Sequence, residues 1–351
     1  MNRIAVIGGG IVGCHIALLC AQKGNEVYLL ERNEKTGQET STRNSCVLHA
    51  GIYYKPGSLK AQLCVEGNAL SREFFARHDV AFRDSGKFII ARDKHERDEI
   101  EGLLGTALEN GVPGMERVTP ERVASAAPWI ECSGAIYSGT TGIIDTADYM
   151  SVMNGLLFQH NVNILTSCRV TGAGDSSLET ERGTLEADII INAAGLYCDD
   201  IARLWGITEY SIVPLKGDYY YTTKLDLGIP VYPVPNHHHK TLGIHLTPTF
   251  GRETILGPSE IPSSGKDNYQ IETPKENFEN ALLAMISPET LAMLEMYEGF
   301  SGNRPRAYKN GERCDDFVFI KNPGNVIHCI GIESPGLTSA PAIARYVYSL
   351  I

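Results

Sequence analysis

Apolar residues occur in short bursts with polar punctuation between them, and no burst is long enough to span a bilayer. The first, Ile4-Ala5-Val6-Ile7, runs into a glycine cluster. It imitates the core of a secretory signal but lacks a cleavage site, so it reads as a buried strand. Helical spacing follows from Cys14 to Lys23 and stops near Gly24, and Glu26-Val27-Tyr28-Leu29-Leu30 reads as a second strand. Gly86 to Ala91 predicts a strand, and Lys94 to Asn110 a charged helix. Ile164 to Val170 and Ala187 to Asn192 predict further strands, with Gly172 to Ser177 a surface turn between strands. The middle of the chain is β-rich, as in Asp218 to Thr223, Val231 to Pro235 and Leu242 to Pro248. Pro274 to Glu298 predicts a helix, with Leu282, Leu283, Met285 and Ile286 as its apolar positions. Strands alternating with helices, followed by a β-rich stretch, predict an α/β fold with an α+β second domain.

The length of 351 residues fits about two domains. A charge of 31 − 42 = −11 argues against a nucleic-acid binder that neutralises phosphates. Nine cysteines, none spaced CxxC, fit reduced thiols in a cytoplasmic protein better than disulfides or zinc. The run His237-His238-His239 reads as a solvated loop, and no metal site is expected.

The first strand feeds a G-x-G-x-x-G turn, Gly8, Gly10 and Gly13, with Ile11 and Val12 opening the helix. Gly8 permits the tight turn, Gly10 lets the backbone approach a pyrophosphate, and Gly13 lets the helix pack on the strand. The helix start supplies free N–H groups and partial positive charge. Glu31, after the second strand, suits ribose hydroxyls and disfavours a 2′-phosphate, with Arg32 beside it. This is a dinucleotide site, and the motif alone leaves NAD and FAD open.

A nicotinamide unit would run on into a crossover helix. Here a polar loop follows, containing Thr40, Ser41, Thr42, Arg43, Asn44 and Ser45. Together with His49-Ala50-Gly51-Ile52-Tyr53-Tyr54 it resembles the FAD-dependent D-amino-acid-oxidase-like superfamily, in its L-2-hydroxyglutarate and glycerol-3-phosphate dehydrogenase branch. Ala187 to Gly195, the G-x-R-P turn at Gly302 to Pro305 and the final loop Gly331 to Ser339 are similar to further motifs of that superfamily, in order. Cys46 departs from the expected pattern, and no cysteine-rich tail is present.

The resemblance implies a Rossmann-like FAD-binding domain interleaved with a substrate domain built on a mixed, mostly antiparallel sheet. The FAD domain would use residues 1–78, 142–208 and 303–351, and the substrate domain 79–141 and 209–302. FAD, held non-covalently, would contact the residues above together with Val170, Ala194, Gly195, Gly331, Pro335, Gly336, Leu337 and Thr338. A helix beginning near Thr338 would aim its N–H groups at the flavin N1–C2=O edge.

Oxidation of a secondary alcohol needs a base, and an imidazole suits it because its pKa is about 6.5. His49 is the leading candidate, the alternatives being a structural histidine or a covalent flavin attachment point. Arg304 would clamp an anion, unless it is a surface arginine paired with a carboxylate. His245 would hydrogen-bond the substrate, Lys216 would serve a distal carboxylate or lie exposed at a strand end, and Tyr54, Tyr219 and Ser334 would line the pocket. The expected activity is oxidation of a small anionic 2-hydroxy acid, with L-2-hydroxyglutarate first and glycerol-3-phosphate or an amine as alternatives. The electron acceptor stays open between oxygen, a quinone and a soluble carrier, a quinone implying a peripheral place at a membrane.

Overall fold

The computed structural model describes residues 1–225, 227–235 and 243–351. Two large sheets organise them. The first has six strands in the order Val318–Asn322, Val326–Ile330, Ile189–Asn192, Arg3–Ile7, Glu26–Leu30 and Asn163–Leu165. All neighbours are parallel except the edge strand Val318–Asn322. The period-two alternation of Arg3–Ile7 feeds two cores. Ile4 and Val6 join the helices Ile11–Gln22, Leu59–His78, Thr146–Gln159 and Gly336–Ser349 on one face. Ala5 and Ile7 face a small antiparallel meander, residues 170–186, across Leu178. Burial on both sides explains why these strands read as continuous apolar runs.

The second sheet has the order Glu312–Arg313, Met296–Lys309, Tyr210–Thr222, Thr254–Gly257, His245–Pro248, Val231–Pro233, Lys87–Ala91, Gly134–Ser138 and Met115–Val118. It is antiparallel apart from Val231–Pro233 beside Lys87–Ala91. Phe88, Val231, Leu246 and Leu256 bury one face against Phe278 and Leu282. The intervening residues Ile89 and Tyr232 belong to the opposite face. Tyr232 sits beside Ile89, and Val231 opposite Leu246, so Lys87 and His245 follow Tyr232 onto that second face by parity. The chain alternates between the two sheets, so the architecture is interleaved.

Four expectations change. The helix over 274–298 breaks into Lys275–Leu282 and Pro288–Ala292, because Ser287 caps a new start ahead of Pro288 and a strand begins at Met296. The strand from Ile164 to Val170 stops at Leu165. Ser167 takes a φ of 47°, and Val170 opens the meander instead. Gly302 to Pro305 is no turn. It lies inside the ladder between Met296–Lys309 and Tyr210–Thr222, where Pro305 faces Pro214. Two residues without N–H groups lose nothing at a ladder position that makes no mutual hydrogen bonds. A division at 302/303 therefore cuts one continuous strand. The run His237 to His239 and Leu242 lie outside the described residues. No helix among the described residues is long and apolar enough to cross a membrane.

Candidate active site

The glycine turn divides its labour. Gly8 has a φ of 108°, and a Cβ there would sit 2.4 Å from the Ala193 carbonyl oxygen. A Cβ on Gly13 would lie 2.0 Å from the Gly8 carbonyl oxygen, so Gly13 serves strand–helix packing and lines neither of the two cavities described below. Gly10 borders both cavities, and a Cβ there would meet one side-chain atom, Ser41 Oγ, at 3.1 Å. Ser41 Oγ accepts from the Ile11 N–H at 2.9 Å, capping a helix whose own N-cap, Gly10, has no side chain. Gly13→Ala is expected to destabilise the fold by about 1–3 kcal/mol or more, because backbone cannot yield. Gly10→Ala should fold and lose FAD. Thermal melts with released-flavin assays separate the two, and a Gly10→Ala protein that retains flavin as tightly as wild type would contradict this division.

Glu31 closes this region. Its carboxylate accepts from the Gly9 N–H at 2.8 Å and the Asn33 N–H at 2.7 Å. Burial raises its pKa, against the pull of those two N–H groups. Glu31 lines a cavity of about 410 Å³ with Gly8, Arg32, Val170, Ala194 and Gly195. Arg32 pairs with Glu39 and lies 3.7 Å over the Tyr197 ring. A glycine where backbone must come close, a helix start and a carboxylate beside a cavity fit the adenosine–pyrophosphate half of a dinucleotide.

Gly10 also borders a cleft of about 1710 Å³ between the sheets. Ile11, Val12, Thr40, Ser41, Arg43, Asn44 and Ser45 line one end. The loop that carries them is clipped to the strand Met296–Lys309. Thr40 Oγ1 donates to the Asn303 carbonyl at 3.0 Å, and a Cβ on Gly302 would fall 2.0 Å from the Arg43 carbonyl oxygen. Thr42 is turned away, donating to the Gly37 carbonyl at 2.7 Å. At the far wall Ser334, Pro335, Gly336 and Leu337 present a helix N-terminus to the cleft. That helix starts at Gly336, ahead of the expected Thr338. Thr338 is fully buried, and its hydroxyl accepts from the His49 N–H at 2.8 Å. Gly331 has a φ of 66° with Ala307 against it, and serves the turn rather than the cleft.

Two imidazoles meet in this cleft. His49 is held by its backbone, with its carbonyl accepting from Asn68 Nδ2 at 3.0 Å, and its Nδ1 finds no partner among the described residues. His245 sits 3.0 Å by Nδ1 from the Gly243 carbonyl, which requires the proton on Nδ1 and leaves Nε2 a free acceptor. Its ring stacks on Tyr232 at 3.7 Å. Burial, and then the Lys87 charge, holds His49 down at about 3. Burial holds His245 well below its ordinary value as well, with Lys87, His49 and Arg304 adding to it. Both rings are therefore neutral proton acceptors at neutral pH.

His15 and His328 are also buried and neutral, with burial lowering them to about 3 and about 4. In the unfolded chain each takes up a proton near pH 6.5, and the folded state refuses it until far lower pH. The unfolded state binds more protons in that window, so stability falls on acidification by up to about 1.4 kcal/mol per pH unit for each ring. Urea midpoints should drop between about pH 7 and 5, and a flat midpoint would contradict this.

Arg304 reaches the cleft. Its nearest carboxylate oxygen, on Glu260, is 4.0 Å away, and its Nη1 is buried without a hydrogen-bond partner among the described residues. The neighbouring charges satisfy each other. Arg306 meets Glu260 at 3.4 Å and Glu333 at 3.2 Å, and Glu333 meets Lys60 at 3.1 Å. Burial pushes the Glu333 carboxyl up, but Lys60, Arg306 and Arg304 outweigh it and hold it below the usual range. Tyr219 lines the cleft and stacks on Phe300 at 4.5 Å, with burial pushing its hydroxyl up to about 12. Tyr54 lines it too, its hydroxyl pushed up by burial with Ser334 pulling the other way.

Lys216 is not in the cleft. It pairs in register with Asn303 and therefore points to the sheet face opposite Arg304. There its ammonium donates to the Gln270 carbonyl at 2.9 Å and meets Glu272 at 3.1 Å. Three site residues had escaped notice. Tyr53, Lys60 and Glu333 line the cleft. Glu333 could have been suspected only as a charge inside the final loop, and Lys60 only as a charge a few residues past the His49 to Tyr54 run.

Residues 3–350 match the model of a family described as FAD dependent oxidoreductase. The chain is 30% identical to a glycerol 3-phosphate dehydrogenase of Caloramator mitchellensis, over 100% of this chain and 74% of that protein. It is 30% identical to the mitochondrial L-2-hydroxyglutarate dehydrogenase of Caenorhabditis briggsae, over 99% of this chain and 92% of that one. Its fold is that of L-alpha-glycerophosphate oxidase from Mycoplasma pneumoniae, solved with FAD bound, with a TM-score of 0.87, 24% identity and coverage of 100% and 95%. A glycine oxidase from Geobacillus kaustophilus shares the fold at a TM-score of 0.84, with 18% identity and coverage of 100% and 95%. The dinucleotide cradle, the two-sheet cleft and these matches agree: this chain belongs to the FAD-dependent oxidoreductase family, and its cofactor is FAD.

Proposed function

We propose that this enzyme oxidises the C–OH group of a small anionic 2-hydroxy acid, with L-2-hydroxyglutarate the leading substrate. One observation carries the reading: two neutral imidazoles and one arginine with an unpaired buried nitrogen share a single cleft. The names of the relatives point to the same class of donor. The parallel-sheet segments would hold FAD non-covalently, and the large sheet would present the substrate groups, with Met296–Lys309 serving both. FAD, when bound, supplies a hydride acceptor in its flavin ring. His49 takes the hydroxyl proton. His245, fixed as an acceptor at Nε2, is the alternative acceptor for that one proton, and Arg304 holds the carboxylate. Tyr54, Tyr219 and Ser334 fill the remaining wall.

A second reading, glycerol-3-phosphate, draws on the Caloramator relative and on the ability of Arg304 to hold a phosphate. Anaerobic addition of each compound to the yellow holoenzyme decides, followed by flavin absorbance. Bleaching by L-2-hydroxyglutarate supports the first reading, and bleaching by glycerol-3-phosphate alone supports the second. Bleaching only by amines, with activity retained in His49→Ala, would replace both.

A further inference from the structure

Lys87 is 1% exposed and opens a strand whose five residues are all buried. Among the described residues no carboxylate pairs with it. A lysine in such a place is costly unless something compensates it. Two aromatic rings do so in part, with the ammonium 4.7 Å from the Tyr53 ring centroid and 4.3 Å from that of Tyr232. Its one hydrogen bond to a side chain goes to Tyr53 Oη, at 3.3 Å. An ammonium can only donate, so it occupies an oxygen lone pair and leaves the phenol its own proton. Tyr53 lines the cleft. Tyr232, the other ring over Lys87, is the one stacked on His245. Strand parity places Lys87, Tyr232 and His245 on one face.

We propose that Lys87 is a positioning residue of this site: anchored between Tyr53 and Tyr232, it turns the Tyr53 hydroxyl proton toward the cleft and sets a positive charge behind His49 and His245. The reading rests on the proposed base, and it deepens it. Burial alone would leave the rings neutral but indifferent to their surroundings. A cation behind them opposes formation of imidazolium, so both rings stay free of protons, as acceptors, until substrate arrives. The groups facing these rings are few. Lys87 acts on His49, and Lys87, His49 and Arg304 act on His245. Cys64 and the two tyrosines face Lys87 itself. Burial lowers the lysine to about 7, so its charge is itself adjustable near neutrality. The Tyr53 hydroxyl stays protonated through the same range, because burial raises it well above its ordinary value. It is thereby a donor for a substrate carboxylate beside Arg304.

Lys87→Met in the holoenzyme tests this, because it keeps the apolar stem and removes the charge. A purely structural lysine would cost melting temperature when replaced. A lysine kept for the site should leave melting temperature unchanged or raised, since a poorly compensated buried charge is lost. Flavin reduction at subsaturating substrate should slow by roughly tenfold, because the Tyr53 hydroxyl loses the partner that turns its proton toward the substrate carboxylate. Imidazole C2–H resonances of the labelled protein, followed by NMR from about pH 8 down to about pH 3, should show His49 or His245 protonating at least about one pH unit higher than in wild type. Lys87→Arg should keep the wild-type titration, and Tyr53→Phe should raise KM without moving it. Unchanged ring titration in Lys87→Met, or a lowered melting temperature with wild-type reduction kinetics, would overturn the proposal. The NMR readout needs no substrate, so it stands even if no hydroxy acid bleaches the flavin.

Discussion

Substitution of His49 by Gln is expected to slow flavin reduction by about 10²- to 10⁴-fold, with substrate affinity changed little. General-base catalysis has that magnitude, and His49 is placed for it. Its backbone is clamped at both ends by Thr338 and Asn68, so the ring is positioned even though Nδ1 makes no bond. Its proton affinity is low at rest, which keeps it available as an acceptor at neutral pH. Gln occupies similar space and cannot take the proton, so the fold should survive. The loss should appear in the limiting reduction rate rather than in KM, since the group acts on a proton in flight. A loss confined to KM would make His49 a binding residue and move the base role to His245, whose Nε2 is also free. Rapid mixing under anaerobic conditions separates the two.

Arg304→Met is expected to cost about 2–5 kcal/mol in kcat/KM, roughly 30- to 5000-fold, and almost nothing in stability. The asymmetry follows from its neighbours. Glu260 keeps Arg306 when Arg304 is gone, and Glu333 keeps Arg306 and Lys60, so no carboxylate is stranded. Arg304 alone among these cations has a buried nitrogen with no hydrogen-bond partner among the described residues, Glu260 lying 4.0 Å from it. An anion would complete it. Lysine at this position should restore only part of the loss, because a point charge cannot reproduce the two-pronged contact of a guanidinium with a carboxylate. Steady-state kinetics with thermal melts check this, and a fall in melting temperature parallel to the activity loss would assign Arg304 to structure instead. The −11 overall charge is no obstacle, because the cleft holds its own local balance of cations.

What could be read from the chain alone was what neighbouring residues settle among themselves. The glycines at 8, 10 and 13, the apolar strands beside them and Glu31 act within one strand–helix–strand unit, and they appear where the spacing places them. Lys216 and Arg304 show the limit. Each lies on a strand, but which face it takes depends on register with a strand some ninety residues away, and a side-chain period of two turns one step of register into the opposite side of the sheet. The same long-range ladder overrides the local Gly-Pro signal at Gly302 to Pro305. By contrast, the break in the helix after Leu282 had a local cause on view, the Ser287-Pro288 start signal. Lys87 lies in a segment legible as a strand, yet nothing local marks its role, because the two tyrosines that explain it come from distant segments.

The central claim is that a 2-hydroxy acid reduces the flavin and that His49 takes its proton. The most direct test is a single anaerobic turnover at neutral pH, mixing L-2-hydroxyglutarate with holoenzyme and with His49→Gln holoenzyme while the flavin absorbance is followed. Rapid bleaching is expected in the first and bleaching at least about a hundredfold slower in the second. Equal rates in the two proteins, or a flavin that L-2-hydroxyglutarate leaves oxidised in both, would contradict it.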